Sequence, residues 1–269
     1  MSAQILDGRA LRDQILKKLT AKVKKLKVKP KLAIILIGEN PASGAYVAQK
    51  EKAARKIGVY FELLKRPASI SQSELEKLIE KLNRDKSVTG IVAQKPLPAR
   101  IDSDEIDLLV APEKDVDGLN PISTFIPATT RGIVELLAAY KIKVEGKKVV
   151  VVGRSKLVGL PTALEFLNQG ATVTICHSKT ADLAAETKQA DILVVAVGKP
   201  KLIKKAMVKA GAVVIDVGIN RDSETHKLVG DVDFENVSKV ASFITPVPGG
   251  VGPMTVAGLL SNLVQACSI

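Results

Sequence analysis

Short apolar runs that stop at glycine or proline, separated by stretches with helical spacing, recur along this chain and restrict it to α/β folds built on parallel sheets. The clearest case is 32–37, an unbroken apolar run closed by Gly38, the form of a strand covered on both faces. The spacing then predicts a helix over 43–57, capped by Ser43 and stopped by Gly58. A strand over 59–64 follows, and Ser71-Gln72-Ser73-Glu74 forms a capping box for a helix reaching about Asp85. A third strand over 90–94 ends at Pro96 and Pro98, and a short helix is expected over 103–109. The rhythm restarts at Lys147 with Val149-Val150-Val151-Val152-Gly153 and continues to about Val247; 253–266 reads as an amphipathic helix.

At 269 residues, against about 150 per domain, the chain is long enough for two compact domains or one large α/β unit. The seam belongs between Gly118 and Lys147, and the expected division is 1–118 plus 248–269 against 119–247. No apolar stretch approaches the ~18 residues of a spanning helix, so no membrane role is expected. Asp7 and Arg9 stand where a secretory leader would be apolar. Cys176 and Cys267 with His177 and His226 lack metal-ligand spacing, so no metal is expected and a reducing cytoplasm fits.

The net charge of +12 raises the question of an anionic partner. It is spread over both parts, 23 − 16 = +7 in 1–118 and 17 − 12 = +5 beyond. The densest lysines, Lys17 to Lys31, lie on a segment where Leu11, Ile15, Leu19, Val23 and Leu26 recur at helical spacing, which makes them a solvated helix face. No recognition motif accompanies them, and 3% aromatic residues leave little for base stacking, so nucleic acid is not an expected partner.

Lys147 to Gly170 has the layout of a dinucleotide-binding unit: apolar strand, glycine turn, helix N-terminus aimed at a pyrophosphate. The turn reads Gly153-Arg154-Ser155-Lys156-Leu157-Val158-Gly159, with serine at the second glycine position and the last glycine one residue late. An ordinary glycine turn stays open on this pattern alone. The next strand, 172–176, ends at His177-Ser178-Lys179-Thr180, where an NAD enzyme would place an acid on the ribose; Ser178 and Lys179 suit a 2′-phosphate instead, favouring NADP. In the first part, Tyr46 and Lys50 are spaced i, i+4 on one helix face and Gln94 lies at a strand end. Singly, each is an ordinary surface or strand-end residue.

Taken together these segments resemble the bifunctional methylenetetrahydrofolate dehydrogenase/cyclohydrolase family, the FolD type. The resemblance is carried by Asn40-Pro41-Ala42-Ser43 with Tyr46 and Lys50, Gln94-Lys95-Pro96-Leu97-Pro98, Lys114-Asp115-Val116-Asp117-Gly118 and Gly153-Arg154-Ser155 with Val158-Gly159 and Pro161. Cys176-His177-Ser178-Lys179-Thr180, Asp216-Val217-Gly218-Ile219-Asn220 and the run from Thr245 to Thr255 complete it. It implies two α/β domains, the second a Rossmann-type doubly wound parallel sheet, with a cleft between them. It implies oxidation of 5,10-methylenetetrahydrofolate with NADP, hydrolysis of the methenyl product to 10-formyltetrahydrofolate, folates with or without a polyglutamate tail as ligands, and a homodimer.

Under that resemblance Lys50 is the base of the hydrolysis, oriented by Gln94, with Tyr46 packed against the folate and Asp117 accepting from the pteridine. Lys95, Pro248, Gly249 and Gly250 accompany them at the substrate, while Gly153, Arg154, Ser155, Ser178 and Ile219 belong to the cofactor. The chain departs from the family at Lys95, where leucine is usual, and at Ala128 and Thr130. A second ammonium at Lys95 would either lower the pKa of Lys50 by repulsion or pair with an acidic group of the substrate. A monofunctional relative, another NADP oxidoreductase on the same fold and a basic nucleic-acid-binding protein are the alternatives.

Overall fold

The computed structural model describes residues 2–223 and 225–268. β1 (Gln4–Ile5) and α1 (Gly8–Lys25) open the chain, followed by β2 (Lys31–Ile37), α2 (Pro41–Ile57), β3 (Tyr60–Arg66), α3 (Gln72–Arg84), β4 (Gly90–Ala93) and α4 (Ser103–Leu109). Next come α5 (Ala128–Ala139), β5 (Lys148–Val152), α6 (Gly159–Asn168), β6 (Thr172–Cys176), α7 (Leu183–Thr187), β7 (Ile192–Val195) and β8 (Val213–Asp216). The remainder holds β9 (Asn220–Arg221), β10 (Leu228–Val229), α8 (Phe234–Val237), β11 (Phe243–Ile244) and α9 (Val251–Ala266).

Two compact units result: Asp13–Ala128 with the residues from Val256 onward, and the residues through Arg12 with Thr129–Thr255. This division departs from the expected one at both termini of the larger unit and at 119–128. β1 pairs in parallel with β11, Gln4 opposite Phe243 and Ile5 opposite Ile244, which ties the N-terminus to the larger sheet. Two residues are too few to show a strand period. The segment ending at Ala128 stays with the smaller unit because buried Asn262 of α9 donates to Val116 O at 2.8 Å and Ile126 O at 2.9 Å.

In the smaller unit the sheet order is β3-β2-β4, all parallel. The apolar run of β2 is covered on both sides, as its sequence requires. Leu32, Ile34 and Leu36 face Leu16, Leu19 and Val23 of α1, residues of α2, and Leu259, Leu260 and Leu263 of α9. Ala33, Ile35 and Ile37 face Leu75, Ile79 and Leu82 of α3 and Ile106 of α4. Asn40, not Ser43, caps α2: its Oδ1 accepts from Ala42 N at 2.9 Å and Ser43 N at 3.1 Å, and Pro41 takes the first helical position where it needs no donor.

The larger unit carries six parallel strands in the order β1-β11-β8-β7-β5-β6. The chain leaves β5 toward β6 on one side and returns to β7 and β8 on the other. That reversal marks the carboxyl ends of β5 and β7 as the ligand position of such a sheet. In the smaller sheet the same reversal flanks β2, which puts the segments after β2 and β4 in the equivalent place.

Replacing Asn262 by leucine keeps the branched outline of the side chain and removes both amide donors, leaving the buried Val116 carbonyl and the partly buried Ile126 carbonyl without that partner. Asn262→Leu is expected to cost about 3 kcal/mol, read as a lower urea midpoint of the smaller unit.

Candidate active site

In the smaller unit α2 and the end of β4 converge on one amine. Lys50 is 2% exposed, the largest fully buried side chain among the described residues. Its Nζ donates to Gln94 Oε1 at 3.0 Å, its one hydrogen-bond acceptor among the described residues. One helical turn earlier Tyr46 presents its ring, with Nζ 5.0 Å from the centroid. An ammonium has three donors and water would satisfy all of them; here one acceptor and a ring face replace that shell. Burial therefore pushes the Lys50 pKa down, and the charge of Asp117 pulls in the opposite direction without reversing it.

Gln94 is held in turn by the segment that follows it, its Nε2 donating to Lys95 O at 2.9 Å. The Lys95 ammonium points to α4, where it pairs with Asp107 Oδ1 at 2.7 Å and donates to Ser103 O at 3.2 Å and to Ser103 Oγ. Both side chains of the pair are mostly covered. Lys95 thus has its counter-ion within the unit, and the depression of Lys50 has burial as its cause. Burial raises the carboxyl of Asp107, with Lys95 opposing. Sequence reading did not find Asp107; the signal available was an acid on a short helix shortly after an unexpected lysine.

Asp117 sits on a loop built by its neighbour Asp115. That carboxylate is 3% exposed and accepts from Asn120 N at 2.8 Å and Gly118 N at 3.2 Å. Burial pushes Asp115 up to about 6 against the pull of those donors. Gly118 has φ +73°, and a Cβ there would lie 2.7 Å from Pro127. The loop leaves the Asp117 side chain half-buried.

In the larger unit the turn after β5 is closed by sterics. Gly153 has φ +122°, and a Cβ would stand 2.2 Å from Ala196 O; one on Gly159 would stand 2.1 Å from Gly153 O. These approaches explain why Gly159 works although it lies one residue late. Val158 at the start of α6 supplies no side-chain cap, and Ser155 Oγ accepts from Val158 N at 3.2 Å. Arg154 and Ser155 are exposed beside that helix start. After β6, Thr180 Oγ1 accepts from His177 N at 2.9 Å while Ser178 and Lys179 stay exposed. The nearest acid, Asp182, is spent on capping α7 through Ala185 N at 2.9 Å. A glycine-lined strand turn, a helix start with exposed Arg154 and Ser155 beside it, and basic or hydroxyl groups without an acid at the ribose position fit NADP.

Ile219 is 58% exposed after β8, between residues tied down by two buried carboxylates, Asp216 and Asp231. Pro248, Gly249 and Gly250 fall in this same unit, in a tight loop where Arg9 N donates to Gly249 O at 3.1 Å and Gly250 N to Pro246 O at 2.8 Å. The structure thus brings Tyr46, Lys50 and Gln94 together with the backbone of Lys95. It gathers Gly153, Arg154 and Ser155 in one turn.

A model of the tetrahydrofolate dehydrogenase/cyclohydrolase catalytic domain matches residues 6–117, and one of that family's NAD(P)-binding domain matches 127–269. The chain belongs to this family. A relative from Exiguobacterium sibiricum, the bifunctional protein FolD, is 53% identical over 98% of this chain and 99% of its own. The structure of bifunctional FolD from Campylobacter jejuni superposes with a TM-score of 0.97 at 48% identity, covering 99% of both chains. That of Trypanosoma brucei FolD, complexed with NADP and an inhibitor, gives 0.95 at 37% identity, covering 100% of this chain and 98% of that one. This chain carries Lys95 with a built-in partner on α4.

Breaking that pair from one side leaves a charge with nowhere to go. Asp107→Leu is expected to cost about 1–2 kcal/mol, discounted for partial exposure, and Lys95→Leu/Asp107→Leu to recover most of it. Denaturant midpoints of the wild type, both single variants and the double variant check this.

Proposed function

We propose that this chain is a bifunctional enzyme that oxidises 5,10-methylenetetrahydrofolate to the methenyl form with NADP and hydrolyses that product to 10-formyltetrahydrofolate. The observation that carries the reading is the buried Lys50 amine held by Gln94 beside the Tyr46 ring. A free lysine, with a pKa of ~10.4, is a cation near neutrality and cannot take a proton. Burial brings the neutral amine within reach.

In the hydrolysis, water adds its oxygen to the amidinium carbon of the methenyl group and gives a proton to Lys50 Nζ. The carbon–N5 bond of the adduct then breaks and its electron pair goes to N5, which takes up a proton, while the hydroxyl oxygen gives up its own proton and becomes the carbonyl of the formyl group left on N10. Gln94 Oε1 keeps Nζ aimed, because an amide oxygen accepts from either the neutral or the charged amine. Tyr46 packs beside the substrate and stabilises the amine when it is charged. Asp117, an acceptor-only carboxylate, pairs with the donor edge of the pteridine. Lys95 contributes through its backbone, which anchors Gln94, more than through its committed ammonium.

In the oxidation, NADP when bound supplies the hydride acceptor, and the push comes from a nitrogen lone pair of the folate. The chain's part is to bind and orient. The start of α6 with Arg154 and Ser155 holds the pyrophosphate, Gly153 allows the close approach, and Ser178 faces the 2′-phosphate. Ile219 offers its backbone at the nicotinamide, and the low side-chain bulk of Pro248, Gly249 and Gly250 suits them to contact with the substrate. This division makes Asp13–Ala128 with the C-terminal residues the substrate unit and the other the cofactor unit. We place the enzyme in the cytoplasm, and no helix among the described residues is long and apolar enough to cross a membrane.

We also propose a homodimer formed through α6 and β6. β6 is an edge of the six-stranded sheet, and beside it Leu160, Leu164 and Leu167 are 38%, 51% and 57% exposed, with Ile175 at 36%. An apolar face next to an unpaired edge is a self-association surface. Leu164→Lys is expected to give a monomer by light scattering, and an unchanged mass would refute the surface.

Lys50→Met is expected to lower hydrolysis by about 10²-fold or more while NADP-dependent oxidation persists. Wild-type hydrolysis should rise with pH through the depressed Lys50 pKa, and the variant should lack that limb. Because the unfolded chain binds the Lys50 proton more tightly, wild-type stability climbs as pH rises toward ~10.4. The variant should accordingly melt higher than wild type at neutral pH, with the gap closing as pH increases. Retained hydrolysis in Lys50→Met would refute the assignment.

A further inference from the structure

Two carboxylates in the larger unit, Asp216 at the end of β8 and Asp231 after β10, are 3% and 0% exposed. Neither takes part in the chemistry above. Asp216 Oδ1 accepts from Gly218 N and Asp231 N, each at 3.0 Å, and Oδ2 from Val232 N at 2.9 Å. Asp231 Oδ2 accepts from Val197 N at 2.7 Å and Gly198 N at 2.9 Å, and Oδ1 from Asn220 Nδ2 at 2.8 Å.

The two sites interlock. A Cβ on Gly218, two residues after Asp216, would stand 2.2 Å from Asp231 Cγ, and one on Gly230, just before Asp231, would stand 1.8 Å from Asp216 Oδ2. Each aspartate therefore occupies the space that a glycine next to the other leaves open. Thr245 Oγ1 receives the Asp216 N–H at 2.7 Å and fixes the strand end from behind.

What is held together is the carboxyl end of the sheet at the ligand position. Val197-Gly198 follow β7, Val217-Gly218-Ile219 follow β8, and Asn220 opens β9. Six N–H donors from these segments and from 231–232 end on two carboxylates. Exposed Ile219 and Gly198 are the residues left facing outward.

We propose that Asp216 and Asp231 are positioning residues for the oxidation, a reciprocal carboxylate staple that sets the Val197-Gly198 and Gly218–Asn220 segments in the geometry that receives the nicotinamide. This rests on the reading of the larger unit as the NADP site. The donors are aimed inward at the carboxylates, so the staple acts on the cofactor only through the backbone it shapes. Burial pushes Asp216 up to about 7 while its backbone donors pull it down. An amide in place of Asp231 would set its NH2 either against the Val197 and Gly198 N–H groups or against Asn220, whose own amide would have to turn over, and it would remove the charge that the backbone donors now meet.

The test is Asp231→Asn in the full chain, with Asn220→Ala as a milder second variant that removes one donor and leaves both carboxylates. Oxidation is followed against NADP concentration, and hydrolysis of supplied methenyltetrahydrofolate is followed without nucleotide. KM for NADP should rise about tenfold in Asp231→Asn and about threefold in Asn220→Ala, with hydrolysis within about twofold of wild type. A general loss of structure would lower both activities together. If Asp231→Asn does not fold, Asn220→Ala decides alone. An unchanged KM for NADP in the folded variants, or a parallel fall of both activities in Asn220→Ala, would overturn the staple. A wild-type enzyme that does not use NADP at all would instead remove the underlying reading, and with it the proposal, by a result seen before any variant is made.

Discussion

A lysine amine removed from water, with a single amide oxygen to accept from it among the described residues, is the constraint around which the smaller unit is organised. Desolvation is the dominant cost of a buried charge, and nothing near Lys50 offsets it fully: Gln94 Oε1 is neutral, and Asp117 acts through space. The cost is tolerable because α2 is anchored elsewhere. Val47, Ala53, Ala54 and Ile57 pack on one face of β2, Asn40 caps the start and Gly58, at φ +88°, closes the end. The helix can thus carry one unfavourable side chain without yielding. The base proposed for the hydrolysis is the product of that rigidity.

The same logic explains why Lys95 does not compete with Lys50. Two ammonium groups near one substrate would repel each other, but Asp107 and Ser103 on α4 turn the second one away. Lys95 thus comes with its own neutralising partner. What remains directed at Gln94 is the Lys95 carbonyl, a group that any residue at that position would supply.

Much of this was legible before any coordinates. The apolar run of β2, the capping box of Ser71 and Glu74 and the bounds of α4 follow from local rules, because each depends on residues a few places apart. The i, i+4 spacing of Tyr46 and Lys50 puts them on one face, but that the face is buried follows only from packing. Asn40 and Ser43 are both good caps, and Pro41, fixed in φ, decides between them. Features that join distant parts of the chain had no local trace. β1 is two residues long and is defined only by its partner β11. Asp231 looks like a turn residue until Val197, Gly198 and Asn220 close around it.

The two units solve opposite problems with buried charge. Lys50 is left under-satisfied, which weakens its hold on a proton, as the proposed hydrolysis requires. Asp216 and Asp231 are surrounded by donors, and the adjacent glycines make room for them, so their oxygens have little left to react with and instead fix backbone. A proton-transfer step needs a group whose two protonation states are close in energy. Hydride transfer from a substrate that supplies its own electron push needs geometry alone. The number of hydrogen-bond partners given to each buried charge therefore separates the two proposed roles, with one acceptor among the described residues for the amine that is to take a proton and three donors for each carboxylate that is to hold a loop still.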